Sequence, residues 1–251
     1  MRKKHLGQHF LTNPEIAKKI VSFLKPDKLC VEIGAGEGIL TSYLVEKFSK
    51  VIVVEKDTDL IPFLKEKFKN RCEIINGDIL KDGEKIFEKL ESFSVASNLP
   101  YNISSPITIM LLRFQNKIPE MVLMYQKEVA DKISKEVSLL GCAVYPFFNV
   151  KEVMTLKPGA FSPPPKIDSA VLHFERKSNT EKINIDKYLS FLKMVFQNRR
   201  KILFKKLKGM VDETRLEAIY SEMGLKKDVR IDGMDKHKIF ELYREVKGEK
   251  A

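Results

Sequence analysis

Asn98-Leu99-Pro100-Tyr101 sets a side-chain amide, a stiff two-residue link and an aromatic ring side by side. An amide oxygen and a neighbouring main-chain carbonyl can both accept from an exocyclic amine, whose lone pair is otherwise delocalised into its ring. Two such acceptors favour a pyramidal nitrogen aimed at an electrophile. No strong base is needed, and the proline limits how far the acceptors swing. The Tyr101 ring offers a stacking face for a base taken out of its helix. The same four residues would also make an ordinary turn. Phe161, in Phe161-Ser162-Pro163-Pro164-Pro165-Lys166, is a second aromatic on a proline-stiffened segment. It suits the other face of the base and, equally, a purely structural loop.

A second group of residues suits a nucleoside. Glu32-Ile33-Gly34-Ala35-Gly36-Glu37-Gly38 follows an apolar run and opens a helical one, so Gly34 and Gly36 let main chain come close to a ligand. A dinucleotide fingerprint would place its third glycine at 39, which is Ile39 here, and this disfavours NAD. Glu55 ends the next apolar run, where a carboxylate accepts both ribose hydroxyls and repels a 2′-phosphate. Asp78 follows the third run, placed to accept from an adenine amino group. S-adenosylmethionine carries an adenine, an unmodified ribose and no phosphate, and would satisfy all three. The alternative is a plain glycine turn with two ordinary strand-end acids.

These positions fall at successive strand ends because the chain alternates. Apolar runs at Leu29–Ile33, Val51–Glu55, Glu73–Ile75, Phe93–Ser97 and Met121–Tyr125 are separated by helical stretches through Leu40–Phe48 and at about 57–68, 83–90 and 105–114. Such alternation predicts a parallel, doubly wound α/β sheet buried on both faces. Thr12-Asn13-Pro14 predicts the start of an N-terminal helix. After a helix near 127–136, runs at Cys142–Val150, Glu152–Leu156 and Ser169–Phe174 read as strands of an antiparallel closing edge. Beyond Asn179 the pattern is helical, at 186–197, 199–207, 214–223 and 236–246. The expected division is a catalytic, cofactor-binding domain over 1–178 and a small all-helical domain over 179–251.

Forty-five basic against 34 acidic residues leave a net charge of +11 over 251 residues, which suits a polyanionic partner. The last 71 residues hold 18 basic and 12 acidic side chains. Lys193, Arg199, Arg200, Lys201, Lys205, Lys206 and Lys208 lie in a stretch without any acid, a stripe suited to an RNA backbone. At 43% hydrophobic and 31% charged the chain is globular rather than disordered. No apolar run reaches the length of a membrane span. The basic start lacks the apolar stretch of an export signal, so a cytoplasmic location is expected. Three scattered cysteines and four histidines form no metal-ligand pattern, and no metal is expected.

Taken together, the sequence resembles the KsgA-type ribosomal RNA adenine dimethyltransferases over nearly its whole length. Gly7-Gln8-His9-Phe10-Leu11, the loop Glu32–Gly38 and Asn98-Leu99-Pro100-Tyr101-Asn102-Ile103-Ser104 are similar to the family's opening, cofactor and catalytic segments. The stretches from Phe161 to Ser169 and Gln197-Asn198-Arg199-Arg200-Lys201 are similar to two further signatures, all in the family's order. The resemblance implies a Rossmann-like class I methyltransferase with a mainly parallel seven-stranded sheet. It also implies S-adenosylmethionine-dependent N6,N6-dimethylation of two adjacent adenosines in the 3′-terminal hairpin of 16S rRNA, in the small ribosomal subunit or its precursor. By carry-over, His9, Leu11, Gly34, Gly36, Glu55, Asp78 and Asn98 lie at the cofactor, Asn98 to Tyr101 orient the base, and the segment around Gln8 covers the cofactor. A monomer is expected. Where the family carries a longer stretch before Tyr145, this chain has only Lys135–Gly141, which implies a shortened loop near the target. A large-subunit rRNA adenine methylase and a non-catalytic assembly or transcription factor on the same fold are the alternatives.

Overall fold

The computed structural model describes residues 9–178 and 183–248. Gly7 and Gln8 of the opening motif, and Asn179 at the expected domain boundary, lie outside the described residues. The chain forms two compact units, one of residues 1–134 with 149–176 and one of residues 135–148 with 177–251.

In the first unit, β1 (Phe10–Leu11) precedes helix α1 (Pro14–Ser22). Asn13 caps α1 by accepting from the N–H groups of Glu15 and Ile16, and Pro14 opens its first turn. The alternation continues through β2 (Leu29–Ile33), α2 (Thr41–Lys47), β3 (Lys50–Glu55), α3 (Ile61–Phe68), β4 (Glu73–Asn76) and α4 (Ile79–Glu88). It runs on through β5 (Ser94–Asn98), α5 (Ser104–Leu112), β6 (Glu120–Gln126) and α6 (Lys127–Ser134). Strands β7 (Phe148–Leu156), β8 (Phe161–Ser162) and β9 (Ser169–Arg176) complete it.

Seven strands form one sheet in the order β4-β3-β2-β5-β6-β9-β7. β2 through β6 pair parallel, while β9 runs antiparallel to β6 with Gln126 opposite Ser169. Parallel pairing turns the carboxyl ends of β2, β3, β4 and β5 to one edge, which therefore collects Ile33, Glu55, Asn76 and Asn98. Val31, Val53, Val95 and Leu123 are fully buried, as strands covered by helices on both faces require. β1 and β8 form a separate two-stranded ribbon, Phe10 opposite Ser162 and Leu11 opposite Phe161.

In the second unit, helix α7 (Leu139–Val144) replaces the strand expected from Cys142; beyond it the single strand β7 takes up the expected runs from Phe148 to Leu156, all but its first residue in the first unit. Ser138 supplies the difference, because its side chain caps the helix by accepting from Gly141 N at 2.9 Å. Helices α8 (Ile185–Phe196), α9 (Leu203–Leu207), α10 (Glu213–Glu222) and α11 (Lys236–Lys247) complete the unit. The helix expected over 199–207 is shorter than its apolar pattern. Asn198 takes the left-handed conformation (φ 53°) and Ile202 bridges to Arg230, so helical geometry begins only at Leu203. Tyr188, Leu192, Leu216, Ile239 and Tyr243 are among its buried residues.

Candidate active site

The loop after β2 and the end of β3 are locked to each other. Glu55 is buried, accepting from Gly36 N at 3.0 Å through one carboxylate oxygen and from Asp57 N at 2.8 Å through the other. Burial raises its pKa, against the opposing pull of these N–H groups. Gly36 has φ 58°, and a Cβ there would lie 2.6 Å from two carbons of the Phe10 ring. Glycine at this position therefore lets the β1 segment lie directly on the loop. Glu32, 1% exposed, accepts from Thr41 Oγ1 at 2.5 Å. Burial pushes its carboxyl up to about 8, with the Thr41 bond opposing and the nearby Glu55 reinforcing the rise.

A cleft at this edge is lined by His9, Phe10, Leu11, Glu32, the glycine loop, Glu55 and Asn98 through Tyr101. A second hollow shares Gly34, Glu55 and Pro100 with it and continues to Asp78, bounded by Ile79, Asn102 and Ile103. Asp78 caps α4 by accepting from Leu80 N at 3.1 Å, while its other oxygen pairs with Lys56 Nζ at 2.9 Å. That ammonium holds the Asp78 carboxyl below its ordinary range. The glycine loop, Glu55 and Asp78 thus lie at one edge of the sheet, along two hollows that share Gly34, Glu55 and Pro100.

Asn98 closes the groove at the end of β5. Its Nδ2 donates to the main-chain oxygen of His9 at 2.8 Å, and its Oδ1 is buried without a hydrogen-bond partner. The His9 ring stacks on Tyr101 with centroids 5.4 Å apart, and its Nδ1 bonds the Pro163 carbonyl at 2.8 Å. The Tyr101 hydroxyl meets Ser169 Oγ at 2.5 Å. Phe161 departs from its expected place. Its ring is 4% exposed and packs in the core cluster that holds Leu11, Leu156 and Val171, so it offers no free face to a base.

The family model described as ribosomal RNA adenine dimethylase matches residues 1–247. The chain belongs to this family. Among relatives of this adenine dimethylase, ribosomal RNA small subunit methyltransferase A of Malacoplasma penetrans is 38% identical over 87% of this chain and 82% of the relative. The Pelagibacter ubique protein of the same name is also 38% identical, over 97% and 96%. A solved dimethyladenosine transferase from Plasmodium falciparum superposes with TM-score 0.81 at 27% identity, covering 96% of this chain and 98% of that one. The 23S rRNA methyltransferase ErmE shares the fold, with TM-score 0.75 at 24% identity over 95% and 99%. The chain is accordingly an adenine dimethyltransferase with the α/β fold of the class I methyltransferases.

Several residues of this dimethylase's site were not singled out in the sequence. Phe10 lies on Gly36, Ser169 holds Tyr101, and Asn102 and Ile103 bound the hollow beside Asp78. Asn102 and Ile103 belong to the segment that resembles the family's catalytic motif, but only the fold brings them to the hollow. The basic stripe divides. Arg199 bonds Asp232 Oδ1 through Nε at 2.7 Å and the Val137 carbonyl at 3.0 Å; Lys206 donates to the Val195 carbonyl at 2.7 Å, and Lys208 pairs with Glu213 at 2.7 Å. Lys193, Arg200, Lys201 and Lys205 are exposed and have no ion-pair partner among the described residues. His, Cys, Asp and Glu form no group of three suited to a metal among the described residues, and no described helix is long and apolar enough to cross a membrane.

Proposed function

We propose that this enzyme takes methyl groups from S-adenosylmethionine and places two on N6 of each of two adjacent adenosines in the 3′-terminal hairpin of 16S rRNA, acting on the small ribosomal subunit or its precursor. The observation that carries the reading is the buried, unpartnered Oδ1 of Asn98, a residue that lines the groove. A buried acceptor left unpaired costs about 1–3 kcal/mol, a cost that a bound amine would remove.

The groove fits the methyl donor. Phe10 lies on Gly36, where a dinucleotide would need open main chain for its pyrophosphate, whereas a phosphate-free nucleoside needs none. Each Glu55 oxygen accepts one N–H and keeps capacity for a ribose hydroxyl, and Asp78 at the far end can accept from the adenine amine. When bound, S-adenosylmethionine supplies an electrophilic methyl on a sulfonium. Asn98 Oδ1 accepts one hydrogen of the target amine, the Leu99-Pro100 link sets its direction, and Tyr101 stacks the base. Alignment supplies most of the acceleration. His9 and Leu11 cover the cofactor side. In the helical unit, Lys193, Arg200, Lys201 and Lys205 are the residues we assign to rRNA phosphates, in a cytoplasmic monomer.

Labelled S-adenosylmethionine, with small and large ribosomal subunits lacking their adenine methylation offered as substrates, provides the test. Digestion of their RNA should yield labelled N6,N6-dimethyladenosine from the 3′-terminal hairpin. Label in large-subunit RNA alone would favour the large-subunit alternative, and binding without label would favour the non-catalytic one.

A further inference from the structure

We infer that Ser169 is the positioning residue for Tyr101, fixing the plane in which that ring receives the target adenine; the inference rests on the function proposed above. Stacking a base requires only an aromatic face, which phenylalanine would supply equally. Here the ring carries a hydroxyl, and that hydroxyl is used. It meets Ser169 Oγ at 2.5 Å, with Ser169 wholly buried at the first position of β9.

The anchor is itself rigid. Ser169 lies opposite Gln126 in the antiparallel ladder with β6, and the preceding residue is tied twice, by Lys127 N to the Asp168 carbonyl at 2.9 Å and by Lys157 Nζ to its carboxylate at 2.6 Å. A second contact acts on the ring's face, where His9 stacks at an interplanar angle of 27°. Ser169 at its edge and His9 on one face fix the plane of the Tyr101 ring where it lines the cleft. Tyr101 is three residues from Asn98, so rotation of the ring would carry the adenine amine away from Asn98 Oδ1. The cost falls on alignment, not on attraction for the RNA.

Ser169→Ala, Tyr101→Phe and the double variant separate these terms, with full-length proteins assayed on unmethylated small subunits well below their melting temperatures. Each single variant should lose about tenfold in kcat, with KM for the particle and affinity for S-adenosylhomocysteine within about twofold of wild type. The double variant should lose no more than either single one, because both remove the same bond. Unchanged kcat in both single variants, losses that multiply in the double variant, or a raised KM with kcat intact would each overturn the inference while leaving the function standing. Absence of dimethyladenosine from wild-type reactions would overturn the function and this inference with it.

Discussion

The Asn98 side chain donates through Nδ2 to the main-chain oxygen of His9, 89 positions earlier in the sequence. A carbonyl can only accept, so the NH₂ end of the amide faces His9 and the oxygen end faces away from it. His9 thereby orients the amide that we propose accepts from the target amine.

Asn98→Ala should reduce methyl transfer by about two to three orders of magnitude, the usual scale for losing one well-aimed polar group at a reaction centre. Filter binding of the unmethylated particle should stay close to wild type. Asn98→Asp keeps an acceptor but loses the donor to His9 and should also be slow. Single-turnover rates measure both.

Gly36→Ala places a side chain in a left-handed conformation and against the Phe10 ring. Strain of about 1–3 kcal/mol is expected from the backbone alone. Calorimetric titration with S-adenosylhomocysteine should show at least tenfold weaker binding, and thermal melting should shift downward.

Glu32 gives a signed pH dependence. In the folded protein its carboxyl is pushed up to about 8 from an ordinary value of 4.5, so the folded protein holds an extra proton between them. The contribution is fully present below the unfolded value and is lost as pH rises toward about 8. Glu32→Gln should flatten this part of the stability profile and be relatively more stable at pH 9 than at pH 5. Urea unfolding at several pH values provides the comparison, and a wild-type profile without the decline would contradict it.

On the proposed assignment of the basic stripe to rRNA, Arg200→Ala, Lys201→Ala and Lys205→Ala should each weaken RNA binding and reduce the slope of log K against log salt by about one. Arg199→Ala should behave differently, since its guanidinium is committed to Asp232 and the Val137 carbonyl. Its main effect should be a lower melting temperature of the helical unit, read by circular dichroism.

The site was legible where strand ends fix position. Glu55 and Asn98 end strands whose apolar runs are unambiguous, and parallel pairing brings them to one edge with the glycine loop. Phe161 was not legible, because an aromatic beside three prolines reads alike whether its ring faces solvent or core. Ser169 was hidden for another reason: it lies at the start of a strand, and its partner Tyr101 is 68 positions away. Nor does a run of basic residues reveal which members are already engaged; Arg199 and Arg200 are neighbours with different surroundings. The apolar run at Cys142 suits helix and strand equally, and the Ser138 cap decides between them.

The pairing of Phe10–Leu11 with Phe161–Ser162 carries a final consequence for turnover. Dimethylating one adenosine consumes two cofactors, so under the proposed function the groove is emptied and refilled between transfers. His9, next to this ribbon, holds Asn98 through its carbonyl and stacks on Tyr101 through its ring, so any displacement of the ribbon's first strand would disturb both residues at once.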